Sequence, residues 1–147
     1  MTILVINGPN LNILGKREIR HYGSLTLKEI NSKLDKQAKS KNVKCLFFQS
    51  NHEGALIDFI QKNVTKAQGI IINPGALTHY GYSLHDALID SALPIVEVHL
   101  SDINTREDFR KIDVFDGIVI KKISGHKEKG YTTGLQLLIN HLRINLP

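Results

Sequence analysis

Apolar residues along this chain follow two alternating rhythms. Five short, nearly unbroken runs, Thr2 to Ile6, Val43 to Phe48, Gly69 to Ile72, Ile95 to Leu100 and Gly117 to Ile123, are too uniformly apolar to leave one face wet and read as buried strands. Between them the spacing becomes helical. Leu27, Ile30, Leu34 and Ala38 follow a Thr26 to Glu29 capping box and predict a helix ending near Lys41. Ala55, Leu56, Phe59, Ile60 and Val64 predict a second helix, Ser83 to Ala92 a third, and Gly130 to Leu142 a closing one.

This β-α alternation, with no repeat, low-complexity tract or linker, predicts a single α/β domain over residues 1–147. Five buried strands with helices on both faces favour a doubly wound, flavodoxin-like parallel sheet. In such a sheet ligands sit outside the carboxyl ends of the strands, near the point where strand order reverses. The polar residues follow that rule. The strands finish in Asn7 and Asn10, in Gln49, Ser50 and Asn51, in Asn73, and in His99 and Ser101, all expected on one rim. Turns favour Asn, Gly and Ser anyway, so any one position has a structural explanation, but four in succession predict a binding site.

Pro74 and Gly75 allow a sharp bend whose amides can face an anionic oxygen, and His79 lies just beyond. Alone, His79 reads as a capped or surface histidine. With His99 on the same rim, and with amides but no cysteine cluster nearby, the set points to acid-base chemistry rather than to zinc. The loop Leu11 to Ser24 has a helix's length without an apolar stripe, and Gly15 and Gly23 flank a candidate mobile flap. It carries Tyr22 near Arg17 and Arg20, and Arg17 beside the phenol would make it a base; the loop considered alone favours a surface tyrosine among solvated charges.

Composition narrows the classes. At 147 residues and 41% hydrophobic content the chain can bury a core without staples. The single Cys45 lies in an apolar strand and excludes an internal disulfide. A formal charge of +5 is spread over helix faces and loops without a basic stripe or aromatic platform, so a solvated surface that attracts a small carboxylate is favoured over nucleic acid. No run approaches the roughly 18 apolar residues of a membrane span and no secretory pattern follows Met1, so a cytosolic protein with no membrane partner is expected. Asn7-Gly-Pro-Asn10 lacks the Lys and Ser or Thr of a phosphate loop, there is no nucleophile elbow or paired catalytic carboxylate, and no lysine stands out for Schiff-base chemistry. An enzyme and a non-catalytic module binding a small carboxylate both remain open at this level.

The motifs Asn7-Gly-Pro-Asn-Leu-Asn12, Leu14-Gly-Lys-Arg-Glu18, Tyr22-Gly23, Phe48-Gln-Ser-Asn-His-Glu-Gly54, Ile72-Asn-Pro-Gly-Ala76, Thr78-His79 and Glu97-Val-His-Leu-Ser101, in this order along nearly the whole chain, closely resemble type II 3-dehydroquinate dehydratase. The resemblance implies a flavodoxin-like subunit in a dodecamer of trimers. It implies the reversible dehydration of 3-dehydroquinate to 3-dehydroshikimate, in the shikimate route to aromatic compounds, without metal or organic cofactor. By the same similarity Tyr22 is the base, activated by Arg17. Asn10 holds a water against the enolate oxygen, His99 acts as or supports the acid, and Asn73 orients the leaving hydroxyl. His79 and Arg110 match positions that bind substrate hydroxyls, and Leu100 and Ser101 match those whose amides receive the substrate carboxylate. Asp86 matches an aspartate that reaches the pocket of a neighbouring subunit, and Glu97 resembles a carboxylate that orients a histidine. The chain departs from the family in carrying Ile19 for a proline, Leu77 for an aromatic, His85 for an arginine, and Asp113 near the place of a serine.

Overall fold

The computed structural model describes residues 1–145. Five strands, β1 (Thr2–Asn7), β2 (Lys44–Gln49), β3 (Gly69–Asn73), β4 (Ile95–His99) and β5 (Lys121–Ser124), form one sheet in the order β2-β1-β3-β4-β5, parallel throughout. The helices are α1 (Ile19–Tyr22), α2 (Leu27–Ser40), α3 (Glu53–Asn63), α4 (Tyr82–Asp90) and α5 (Lys129–Asn145). Successive side chains of a strand point to opposite faces, and here each set is covered. Ile3, Val5, Ile71, Val96 and Val98 pack with α2 and α5, while Leu4, Ile6, Ile70, Ile72 and Ile95 pack with α3 and α4. This is the doubly wound arrangement that the apolar runs predict. Among the described residues no helix is long and apolar enough to cross a membrane. Cys45 is buried in the first cluster, and loss of water pushes its thiol up to about 12.

Most element ends agree with the pattern to within a few residues, and the box at the start of α2 forms: Glu29 N donates to Thr26 Oγ1 at 3.2 Å and Thr26 N to Glu29 Oε2 at 2.8 Å. The fifth strand differs, beginning at Lys121 rather than Gly117. Ile118 and Val119 are apolar because they pack against the α3 and α4 face from a turn, not because they pair with β4. The segment before β5 is tied down by charge instead. Lys122 Nζ reaches Asp113 Oδ2 and Asp116 Oδ1, each at 2.8 Å, and the Asp113 side chain is fully buried. Burial alone would raise the Asp113 carboxyl, but hydrogen bonds from Lys122, the Phe115 amide and Thr78 outweigh it and hold it below the usual carboxylate range. Burial likewise disfavours the Lys122 ammonium, yet its two carboxylate partners hold it above the usual lysine range.

Strand order reverses between β1 and β3, and their carboxyl turns interlock there. Gly8 N donates to Asn73 O at 2.8 Å, and a Cβ on Gly8 would stand 2.4 Å from the Pro74 carbonyl oxygen. Gly75 adopts φ +59°, and its Cβ would approach the Pro9 carbonyl to 2.9 Å. Both obstacles are main chain, so neither can swing aside.

Two outcomes follow for stability. Gly8→Ala should cost about 3 kcal/mol by overpacking, whereas Gly54→Ala, early in α3 with open space around it, should gain about 0.5 kcal/mol; urea titration reads both. Because the folded-state acidity of Asp113 is depressed, its contribution is present above its unfolded value near pH 4 and disappears as pH falls through the folded value. Asp113→Asn should therefore be less stable at pH 7 but lose less stability than the unaltered protein as pH falls from about 5 to about 2, as measured by denaturant midpoints across that range.

Candidate active site

The interlocked turns form the floor of a cleft at the carboxyl rim. Beneath it Tyr131, on α5 and fully buried, donates its hydroxyl to Asn7 Oδ1 at 2.6 Å and accepts from Asn73 Nδ2 at 3.0 Å. Burial holds this phenol protonated, far above the ordinary tyrosine range, against the smaller opposing effect of the Asn73 hydrogen bond. Asn73 Oδ1 in turn accepts from Gly75 N at 3.1 Å, so its carboxamide is fixed from both ends at the cleft floor. Asn10 sits on the exposed lip with φ 68°, a left-handed conformation that asparagine tolerates better than most residues. Its amide donates to Asn51 Oδ1 at 2.9 Å, which joins the turn after β1 to the one after β2.

The loop from Leu11 to Ser24 closes one side. It is not featureless: residues Leu11–Ile13 make a 3-10 turn, α1 adds a single helical turn, and Leu11 and Leu14 anchor it in the core. Tyr22, at the end of α1, meets two cations. The Arg17 guanidinium lies over the ring face, 3.7 Å from its centroid, and Arg106 Nη1 donates to the hydroxyl at 2.8 Å. The cation at the phenol oxygen is thus Arg106, whereas Arg17 stacks on the ring. Sequence reading missed Arg106, although it stands in the loop after β4 four residues before Arg110 and so on the expected rim.

Opposite lies His99. The two-residue period of β4 puts Glu97 and His99 on the same face, and His99 Nε2 stands 2.7 Å from Glu97 Oε1 with both residues buried. Thr78 Oγ1 reaches the same Glu97 oxygen at 2.7 Å, while Glu97 Oε2 has no hydrogen-bond partner. His79 is set differently: its Nδ1 donates to the Ile112 carbonyl at 2.6 Å, which leaves Nε2 as the acceptor of the neutral ring. Leu100 and Ser101 continue from β4 into the wall, their carbonyls taken by Lys127 N at 3.0 Å and Gly125 N at 3.2 Å. Arg110, a third guanidinium on the cleft, is steadied by Glu107 at 2.8 Å. Asn10, Arg17, Tyr22, Asn73, His79 and His99 all line this one cavity, as do Leu100, Ser101 and Arg110. Asp86 does not; it projects from α4 beside His85, its side chain 77% exposed.

Chemically the cleft combines a phenol backed by guanidinium, an imidazole backed by carboxylate, and further guanidinium and amide donors for an anion. Among the described residues, Glu97, His99 and Asp113 are the one group of metal-ligand type close enough to share an ion, with donor atoms within 4.8 Å of one another. Those atoms are taken up by hydrogen bonds to each other, to Thr78 and to Lys122, a hydrogen-bonded row rather than a chelate.

Comparisons with known proteins show the family of the chain. The dehydroquinase class II family profile matches residues 1–139. The chain is 46% identical over 141 residues to the 3-dehydroquinate dehydratase of Halothermothrix orenii, covering 96% of this chain and 95% of that protein. It is 52% identical over 139 residues to that of Roseiflexus castenholzii, covering 95% and 88%. The crystal structure of type II dehydroquinase from Butyrivibrio crossotus superimposes with a TM-score of 0.92 at 45% identity over 95% of this chain and 97% of that one. On sequence and structure together, the chain belongs to the class II dehydroquinase family.

Proposed function

We propose that the protein is a 3-dehydroquinate dehydratase that forms 3-dehydroshikimate through an enolate, with Tyr22 as base and His99 as acid. The observation that carries this reading is the contact between the Tyr22 hydroxyl and Arg106 in a cavity whose other wall holds His99 paired to Glu97. Proton removal beside a carbonyl needs a base that is anionic when it acts, and a guanidinium nitrogen 2.8 Å from the phenol oxygen stabilises a phenolate by a charge-assisted hydrogen bond. Arg17 adds positive charge from the ring face. Asn10, on the lip, holds a water against the enolate oxygen. His99 delivers the proton that lets the hydroxyl depart, Asn73 orients that hydroxyl, and Glu97 steadies the imidazolium as it forms. His79 and Arg110 bind substrate hydroxyls, and the Leu100 and Ser101 amides receive the carboxylate. No step calls for a metal or an organic cofactor.

Family membership supports assembly into a dodecamer of trimers. In that assembly the exposed Asp86 completes the cleft of a neighbouring copy. The reading also places the enzyme in the cytoplasm, in the route to aromatic amino acids.

The test is the ultraviolet absorbance of the conjugated enone formed from 3-dehydroquinate. Tyr22→Phe should lower kcat by about 10²- to 10⁴-fold with little change in KM; an undiminished rate rejects Tyr22 as the base. Arg106→Met should lower the neutral-pH rate by about tenfold and move the acidic limb of the pH profile upward, because a phenol without that cation ionises at higher pH. An unmoved limb assigns the phenolate's stabilisation elsewhere.

A further inference from the structure

Two fully buried carboxylates meet on a single hydroxyl behind His99. Thr78 Oγ1 lies 2.7 Å from Glu97 Oε1 and 3.0 Å from Asp113 Oδ1, and neither carboxylate side chain reaches solvent. A threonine hydroxyl has one proton, so it satisfies one of these acceptors at a time. Like charges this close cannot both persist in a dry interior without a cation at each end. Lys122 supplies one. It is the register partner of Glu97 across the β4 and β5 pair, yet its ammonium turns to Asp113 and to the exposed Asp116. The group at the other end is the His99 ring, whose Nε2 stands 2.7 Å from Glu97 Oε1. The contacts therefore form one row: His99, Glu97, the Thr78 hydroxyl, Asp113, Lys122.

We propose that Asp113, clamped by Lys122, is a positioning residue that acts through Thr78 and Glu97 to hold His99 in its protonated form. This deepens the reading of His99 as the acid and rests on it. The electrostatic need comes from the cleft itself. Arg17, Arg106, Arg110 and His79 line the same cavity as His99 and Tyr22, and those guanidinium charges disfavour another cation among them. Glu97 opposes that field at the ring nitrogen, and Asp113 adds a second negative charge within 4.8 Å of the His99 and Glu97 donor atoms. Asp113 also keeps the Thr78 proton shared, so that Glu97 retains more charge to offer the imidazole.

The imidazole nitrogens of His99 can be followed by ¹⁵N NMR titration, with the resonance assigned by its loss in His99→Gln. Asp113→Asn keeps the shape and removes the charge; the His99 midpoint should move to lower pH by about one unit. Lys122→Met leaves Asp113 uncompensated and should move it to higher pH. The double variant removes a neutral pair and should fall between them. The alkaline limb of kcat should shift in the same direction in each protein, with KM changing less. Coincident midpoints in all variants overturn the proposal even if the variants are less stable, since a merely structural role lowers stability without moving a titration. Should Asp113→Asn fail to fold, Lys122→Met decides the matter, its side chain being partly exposed at the sheet edge. A midpoint that moves on dialysis against EDTA also overturns it, because the same atoms would then be serving as metal ligands. Midpoints that shift while the kcat limb stays fixed would uphold the coupling and count against His99 as the acid, which separates the two readings.

Discussion

The close approach of two main-chain turns is the constraint on which the rest of this molecule depends. Where β1 and β3 end side by side, Gly8 and Gly75 let carbonyl groups pass within distances that no Cβ allows. A parallel sheet with helices on both faces necessarily leaves a crevice at its strand-order reversal, but the crevice is useful only if its floor is fixed. Here the floor is fixed twice, by the interlocked backbone and by the Tyr131 hydroxyl that ties Asn7 to Asn73 from beneath. Asn73 can then present its carboxamide without searching among rotamers, which is the kind of preorganisation that acid-base chemistry on a small substrate requires.

Charge is handled in the same way. Isolated buried carboxylates are costly, and this protein places two of them in its interior, yet each has a positively charged or ionisable partner within hydrogen-bond distance. The guanidinium groups on the cleft lean on polar or aromatic neighbours as well: Arg106 on the Tyr22 hydroxyl, Arg110 on Glu107, Arg17 on a ring face. The result is a cavity rich in positive potential whose individual groups are held in place before any anion arrives.

Much of this was legible in the chain. Uniformly apolar runs identify buried parallel strands because both of their faces are covered, and the polar residues at their ends mark the rim because that is where such runs must surface. The fifth strand was less legible: Ile118 and Val119 are apolar for packing reasons that mimic strand pairing. Contacts between residues far apart in sequence were invisible. Arg106 and Tyr22 are 84 residues apart, and Thr78 and Asp113 are 35 apart, and neither pairing leaves a periodic trace. Arg17 was the natural choice as the phenol's cation because it is near in sequence, but the geometry gives the oxygen to Arg106 and the ring face to Arg17.

That division has a consequence of its own. Arg17 belongs to the same loop as Tyr22, whereas Arg106 belongs to the loop after β4. Arg17 and the phenol keep company within a single loop, while the hydrogen bond from Arg106 spans 84 residues of sequence. The stacking over the ring is thus local to one stretch of chain, whereas the contact at the phenol oxygen holds only where two separate loops meet across the cleft.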